Sequence, residues 1–221
     1  MAVPAVHMPA GGGALSDGEV VRRVLEGDRA LFERLMRRYD QRVYRAARSI
    51  LRDEAEVEDV MQESWMQAWR RLRQLEEGQS FAGWLVRITL NEALARVRRR
   101  RPLRASPGDE EPDEVAGGED PEADAAAREL ARALEVAVDA LPSPQRTAFV
   151  LREVDGLSTD ETAAALGITA GAVKLRLHRA RKAIRNALGE GADAAPLAFR
   201  FEAPRCNRMV AAVLARIAAE P

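Results

Sequence analysis

From Ser16 to Arg101 the chain contains no proline, and apolar residues recur through that whole stretch at three- and four-residue spacing. A helix interior excludes proline, which lacks the amide donor and clashes with the preceding turn. A long proline-free segment with this period folds as helices, and a chain built on it is all-α. Ser16, Asp17 and Gly18 resemble a helix start. Leu31, Phe32, Leu35, Tyr39, Val43 and Tyr44 supply the next apolar stripe, a core face. A helix over roughly 55–72 sets Val57, Val60, Met61, Trp65, Ala68 and Trp69 on one side and Asp59, Gln62, Glu63 and Gln67 on the other. By pattern alone that polar side is a solvated face or an interface. After a polar loop over 74–80, Phe81, Trp84, Leu85, Ile88 and Leu90 resume the period on a helix ending in Arg96, Arg98, Arg99, Arg100 and Arg101. An arginine run is either a solvated helix end or a nucleic-acid contact. Trp84, Arg87 and Asn91 lie near one side of that helix and together offer stacking, phosphate and base-edge chemistry, a set suited to melted DNA.

The composition changes sharply over 102–124, where Pro, Gly, Ser and acidic residues replace the helical pattern. This is a linker that like charges keep extended; fully stretched it spans at most roughly 75 Å, about two turns of B-DNA. Folded back, it would meet the preceding arginines. Helices follow over 125–140 and 145–154. They lead into Ser158–Arg185, where Ser158 and Glu161 have the capping-box spacing, Gly167 permits a tight turn and Thr169 can cap a second helix. These helices make a compact four-helix domain over about 125–188. On its last helix Val173, Leu177, Ala180 and Ile184 share a face, leaving Lys174, His178, Arg179, Arg181, Lys182 and Arg185 outward. No acidic residue falls between Glu161 and Glu190. A solvated face normally mixes signs, so the pattern is that of a helix-turn-helix whose second helix meets a polyanion in the major groove; the plainer alternative is a basic surface on a helical hairpin.

A net charge of −1 conceals this segregation of charge into blocks. Cys206 is the only cysteine, which excludes an internal disulfide framework and a cysteine-rich zinc site and fits a reducing cytoplasm. No apolar run approaches the ~18 residues a membrane span needs, and residues 1–15 lack the basic start of a signal peptide and read as a disordered tail. The glycines at 11–13 have neither the lysine nor the following helix of a phosphate-binding loop, and His7 and His178 stand alone. No nucleophile constellation, metal cluster or cofactor motif is legible, so neither catalysis nor a cofactor is expected.

DALPSPQRTAFVLREVDGLSTDETAAALGITAGAVKLRLHRARKAIR resembles the promoter-reading C-terminal domain of bacterial RNA polymerase sigma factors, and LFERLMRRYDQRVYRAARSILRDEAEVEDVMQESWMQAWRRL resembles their N-terminal domain. FAGWLVRITLNEALARVRRR is similar to the melting segment that follows it. With only a linker between them, the resemblance is to the small extracytoplasmic-function group of the sigma-70 family. It implies region 2 over 16–101, the linker over 102–124, region 4 over 125–188 and a C-terminal extension over 189–221. It implies that Asp59, Gln62 and Glu63 of DVMQESW bind the clamp helices of the largest subunit of core RNA polymerase. It also implies that the second-largest subunit's flap is a partner, and that an anti-sigma factor controls the protein. Trp84, Arg87, Asn91 and Arg98 then meet the −10 element and its melted strand; Lys174, Leu175, His178, Arg179 and Arg181 meet the −35 element of promoter DNA. The sequence departs from the family pattern at LEEGQS before Phe81, at Ala95 and at Leu175. A DNA-binding regulator whose first half meets some other partner would explain the helix-turn-helix, but not DVMQESW and the arginine-ended helix ahead of a linker. Over about 197–219, Cys206, Met209, Val210, Val213, Leu214 and Ile217 form an apolar helical face too large to leave in water. It is expected to pack on one of the two domains and to help hold the factor inactive or to bind an inhibitor.

Overall fold

The structure, a computed structural model, describes residues 15–76, 78–100, 123–188 and 199–220. Those residues form α-helices joined by short turns. Side-chain caps start several of them. Ser16 accepts from the Glu19 amide to open α1 (Asp17–Leu25), and Asp53 accepts from the Glu56 amide to open α3 (Glu54–Arg71). Between them a 3₁₀ turn, Arg29–Leu31, feeds α2 (Phe32–Arg48). Ser80 Oγ accepts from the Gly83 amide at 3.3 Å at the start of α4 (Phe81–Arg100). The aromatic residues centre this half: Phe32 meets Trp65 edge-on at 5.7 Å and Trp69 at 5.3 Å, with Leu35, Met36, Met61 and Leu85 fully enclosed around them.

In the second half, α5 (Ala123–Asp139) and α6 (Ser143–Phe149) support α7 (Thr159–Leu166) and α8 (Ala170–Leu188). Leu134, Val138, Phe149, Val150, Leu177, Ala180 and Ile184 fill its interior. The two halves are packed together. Ala46, Val86 and Leu90 from the first are buried against Leu151 and Ala165 from the second. Around that patch Arg45 pairs with Asp155 at 3.3 Å and Arg48 with Asp139 at 2.7 Å. The Arg146 guanidinium, 4% exposed, donates to the carbonyls of Ser49 (2.7 Å), Asp139 (3.1 Å) and Leu141 (3.3 Å).

The chain closes with α9 (Ala203–Ala219), which lies on α2 and α3 and buries Met209, Val210, Val213 and Ile217. Just before it Phe199 adopts a left-handed φ of 55°, uncommon for a residue with a Cβ. Its amide donates to Glu135 of α5 while its carbonyl accepts from Gln41 and Arg45 of α2. Phe201 stacks on Tyr44 at 5.0 Å.

Several expectations are corrected. The helix expected over 145–154 starts at Ser143, because Pro144 in the first turn loses no intrahelical bond, and it ends as a π turn over Val150–Val154. The apolar face expected within about 197–219 falls on a helix that starts at Ala203 and packs on α2 and α3, while the segment before it reaches Glu135 of the second half as well. Leu15, expected in the tail, packs on the core, and its carbonyl accepts from Arg38. Ala123 and Asp124, expected in the linker, open α5. The expected disordered tail over 1–14, the body of the acidic linker over 102–122 and the start of the extension over 189–198 lie outside the described residues.

Candidate functional site

Three helical surfaces carry the residues singled out by the sequence. On α3 a capped start and the buried ridge of Val57, Val60, Met61, Ser64 and Trp65 turn Asp59, Gln62 and Glu63 outward: Asp59 is exposed and the other two are half-buried. They are not idle. Asp59 accepts from Arg96 of α4 at 2.6 Å, and Glu63 accepts from Arg216 of α9 at 3.1 Å. Burial opposes the Arg96 charge, but the bonds to Asp59 and Glu56 outweigh it and raise the guanidinium above its ordinary range. These side chains, with Gln67, Glu92 and Arg99, line an open polar cleft between α3, α4 and α9.

On α4 the spacing of Trp84, Arg87, Asn91 and Arg98 places them along one stripe. Trp84 is half-buried, with its ring packed on Phe81 at 5.8 Å; Arg87, Asn91 and Arg98 are exposed. The structure adds Leu94 and Val97 beside them, 40% and 41% exposed. Sequence reasoning passed over both, although each interrupts an otherwise polar helix end. The other flank of α4, at Val86 and Leu90, is closed by α7.

On the helix-turn-helix the capping box is complete, with the Ser158 amide donating to Glu161 at 2.8 Å and the Glu161 amide to Ser158 at 3.1 Å. Those bonds from Ser158 hold the Glu161 carboxyl below its usual range. Gly167 takes φ 64° at the turn, and Thr169 accepts from the Ala172 amide to start α8. Val173, Leu177, Ala180 and Ile184 face inward, while Lys174, His178 and Arg179 are exposed beside Leu175, itself half-exposed. Arg181 is also exposed, but it is bonded to Glu153 of its own domain at 2.8 Å. Lys174, Leu175, His178 and Arg179 therefore form one basic surface with an apolar spot, and Arg181 is set to one side. Among the described residues no group of His, Cys, Asp or Glu is arranged to hold a metal ion, and no helix is long and apolar enough to cross a membrane.

A pair that the sequence did not reveal lies under α9. The Cys206 thiol donates to Asp40 at 2.8 Å, and Asp40 is 2% exposed. Burial raises the Asp40 carboxyl to about 7 against the opposing pull of Cys206, Trp65 and Arg37. Burial and the Asp40 carboxylate in turn push the Cys206 thiol up to about 12.

Comparison with known proteins agrees with this layout. The family model for Sigma-70 region 2 matches residues 35–102, and that for Sigma-70, region 4 matches residues 131–184. The ECF RNA polymerase sigma factor SigE of Mycolicibacterium smegmatis is 36% identical over 74% of this chain, which spans 65% of that relative's length. The RNA polymerase sigma-H factor of Pseudomonas aeruginosa is 32% identical over 78% of this chain and 93% of its own. SigW of Bacillus subtilis, another ECF RNA polymerase sigma factor, is 31% identical over 76% and 94%. Among solved structures, CnrH in complex with the cytosolic domain of CnrY superposes with a TM-score of 0.55 at 29% identity, over 76% of this chain and 94% of that one. The sigma factor RpoE of Bartonella quintana, solved with the anti-sigma factor NepR, shares the fold at a TM-score of 0.58 and 24% identity, over 76% and 98%. The helix α9 lies beyond the residues matched to region 4, and, with both sigma-70 regions matched in order and relatives named as ECF RNA polymerase sigma factors, the chain belongs to the extracytoplasmic-function sigma factors.

Proposed function

We propose that Asp59, Gln62 and Glu63 on α3 dock on the clamp helices of core RNA polymerase, and that the helix-turn-helix domain engages the flap of the second-largest subunit. In this reading Lys174, Leu175, His178, Arg179 and, at the margin, Arg181 read the −35 element. Trp84, Arg87, Asn91 and Arg98 hold the melted −10 strand. The factor performs no catalysis of its own: it supplies binding energy that favours opened promoter DNA. It works in the cytoplasm, where polymerase is. Because the CnrH and RpoE structures contain the cytosolic domain of CnrY and the anti-sigma factor NepR, an anti-sigma factor is the expected regulator here too.

The observation that carries this reading is the α4 stripe, a half-buried tryptophan followed on one face by exposed Arg87, Asn91 and Arg98. The aromatic ring offers a platform for an unstacked base, worth about 1–3 kcal/mol, and the cations track its backbone. Anisotropy with purified core polymerase tests the α3 assignment: Gln62→Ala/Glu63→Lys should weaken binding at least ~tenfold. Permanganate reactivity of promoter thymines tests the α4 stripe. Trp84→Ala should keep polymerase affinity and lose strand opening; opening at the native level would remove Trp84 from that role.

A further inference from the structure

The acidic residues along α3 are engaged by arginines from this chain's own C-terminus. Arg205 donates to Glu54 at 2.6 Å and to Glu58 at 2.7 Å, and its guanidinium lies over the rings of Tyr44 and Phe201. About three turns further along α9, and about one and a half turns beyond Glu58 on α3, Arg216 donates to Glu63 at 3.1 Å. Glu220 then takes Arg70, at the end of α3, at 2.6 Å. Beneath this polar row Met209, Val210, Val213 and Ile217 are enclosed in the core, so the apolar face holds α9 down while the arginines set its register along α3. The segment ahead of α9 grips both halves of the molecule, through Gln41 and Arg45 on one side and Glu135 on the other.

We propose that residues 199–220 are an intramolecular clasp, in which α9 occupies the polymerase-facing side of α3 and the Phe199 segment holds the two promoter-reading halves closed. The inference rests on the proposed role of Glu63. While Arg216 sits on that carboxylate, a basic or amphipathic helix of polymerase cannot take the same group. While the halves are closed, α7 covers one flank of α4. Polymerase therefore binds only the fraction of molecules in which the clasp has lifted, and its apparent affinity is reduced by that fraction. Cys206 reports on the same event. Docked, its thiol is bonded to Asp40 and held above the ordinary thiol range, so it reacts more slowly; lifted into water, it regains an ordinary thiol's reactivity, and it is the only cysteine in the chain.

Two full-length variants test the clasp. Arg205→Glu/Arg216→Glu places like charges opposite Glu54, Glu58 and Glu63. It should raise the rate of Cys206 alkylation by iodoacetamide about tenfold and tighten core polymerase binding several-fold. In a Cys206→Ser background, Arg70→Cys/Glu220→Cys joined by a short bismaleimide keeps α9 docked. Its affinity for core polymerase should fall at least ~tenfold below that of the same variant capped with a monofunctional maleimide. This second arm holds even if the double charge reversal fails to fold. Polymerase binding that ignores the cross-link overturns the clasp while leaving the α3 assignment intact. If polymerase bound neither native chain nor any variant, the reading of α3 would fail, and the clasp with it.

Discussion

Asp40 sits in the middle of α2 with one carboxylate oxygen taking the Cys206 thiol and the other enclosed without a hydrogen-bond partner. Read along the sequence it is an ordinary polar position between Tyr39 and Gln41; in the fold it meets Trp65 of α3 and Cys206 of α9, both far along the chain, and is buried. Desolvation lifts its carboxyl to about 7, and burial lifts Asp155 to about 6 against the charges of Arg45 and Arg42. Both folded-state values lie above that of an unfolded aspartate, so folding favours the protonated form. The stability they confer is complete below the ordinary carboxylate range and is lost as pH rises through about 6 and 7. The melting temperature should therefore fall between pH 5 and pH 8, and Asp40→Asn should flatten much of that slope. Calorimetry across this range checks it; an unchanged slope in the variant would place the pH dependence elsewhere.

The helix-turn-helix is the element most fully written in its local sequence, because capping and turn chemistry act over a few residues. Ser158 and Glu161 answer each other's amides as their spacing demands, and Gly167 takes the left-handed conformation that a Cβ disfavours. Ser158→Ala should cost about 1 kcal/mol in urea unfolding. Gly167→Ala should cost about 1–2 kcal/mol from backbone conformation alone, since an added Cβ meets nothing within 4 Å. On α8, Lys174→Ala and Arg179→Ala should each weaken DNA binding and lower its salt slope by about 1, as for a lost phosphate contact. Arg181→Ala should change the slope less, because that guanidinium is already bonded to Glu153. Salt titrations of promoter binding decide between them; equal slopes for all three would show that Arg181 leaves Glu153 for DNA. By contrast, the π turn over Val150–Val154 has no local signature; Leu151 within it is buried against the other half.

At the scale of the molecule, the seam between the halves is polar at its edge and apolar at its centre, and Arg146 bridges it with bonds to carbonyls on both sides. Removing that side chain takes a donor from all three carbonyls. Asp139 keeps Arg52 and Ser49 keeps only a long bond from Thr147, at 3.4 Å, so the loss falls mainly on Leu141 and Ser49, at about 1–3 kcal/mol for a group left unsatisfied. Arg146→Ala should therefore lower stability and loosen the closed arrangement, seen as a larger radius of gyration in small-angle X-ray scattering. A variant as compact as the native chain would mean that Arg48–Asp139, Arg45–Asp155 and the Ala165–Leu90 patch close the seam without it.

Periodicity, caps and the placement of charge were enough to make the chain all-α, to locate α3 and α4 within a residue or two and the start of α8, and to put Asp59, Arg87, Asn91, Lys174 and His178 on outward faces. Those properties depend on neighbours within a turn of helix, and the sequence states them directly. Which face meets which could not be read there. The pairing of Glu63 with Arg216, of Asp40 with Cys206 and of Arg146 with Ser49 joins residues far apart along the chain. Each follows from how apolar faces of similar composition choose partners, and α9 shows this most plainly: its stripe required burial, yet nothing in it named α3 as the surface to cover. Only packing in three dimensions, where shape and charge must match at once, made that choice.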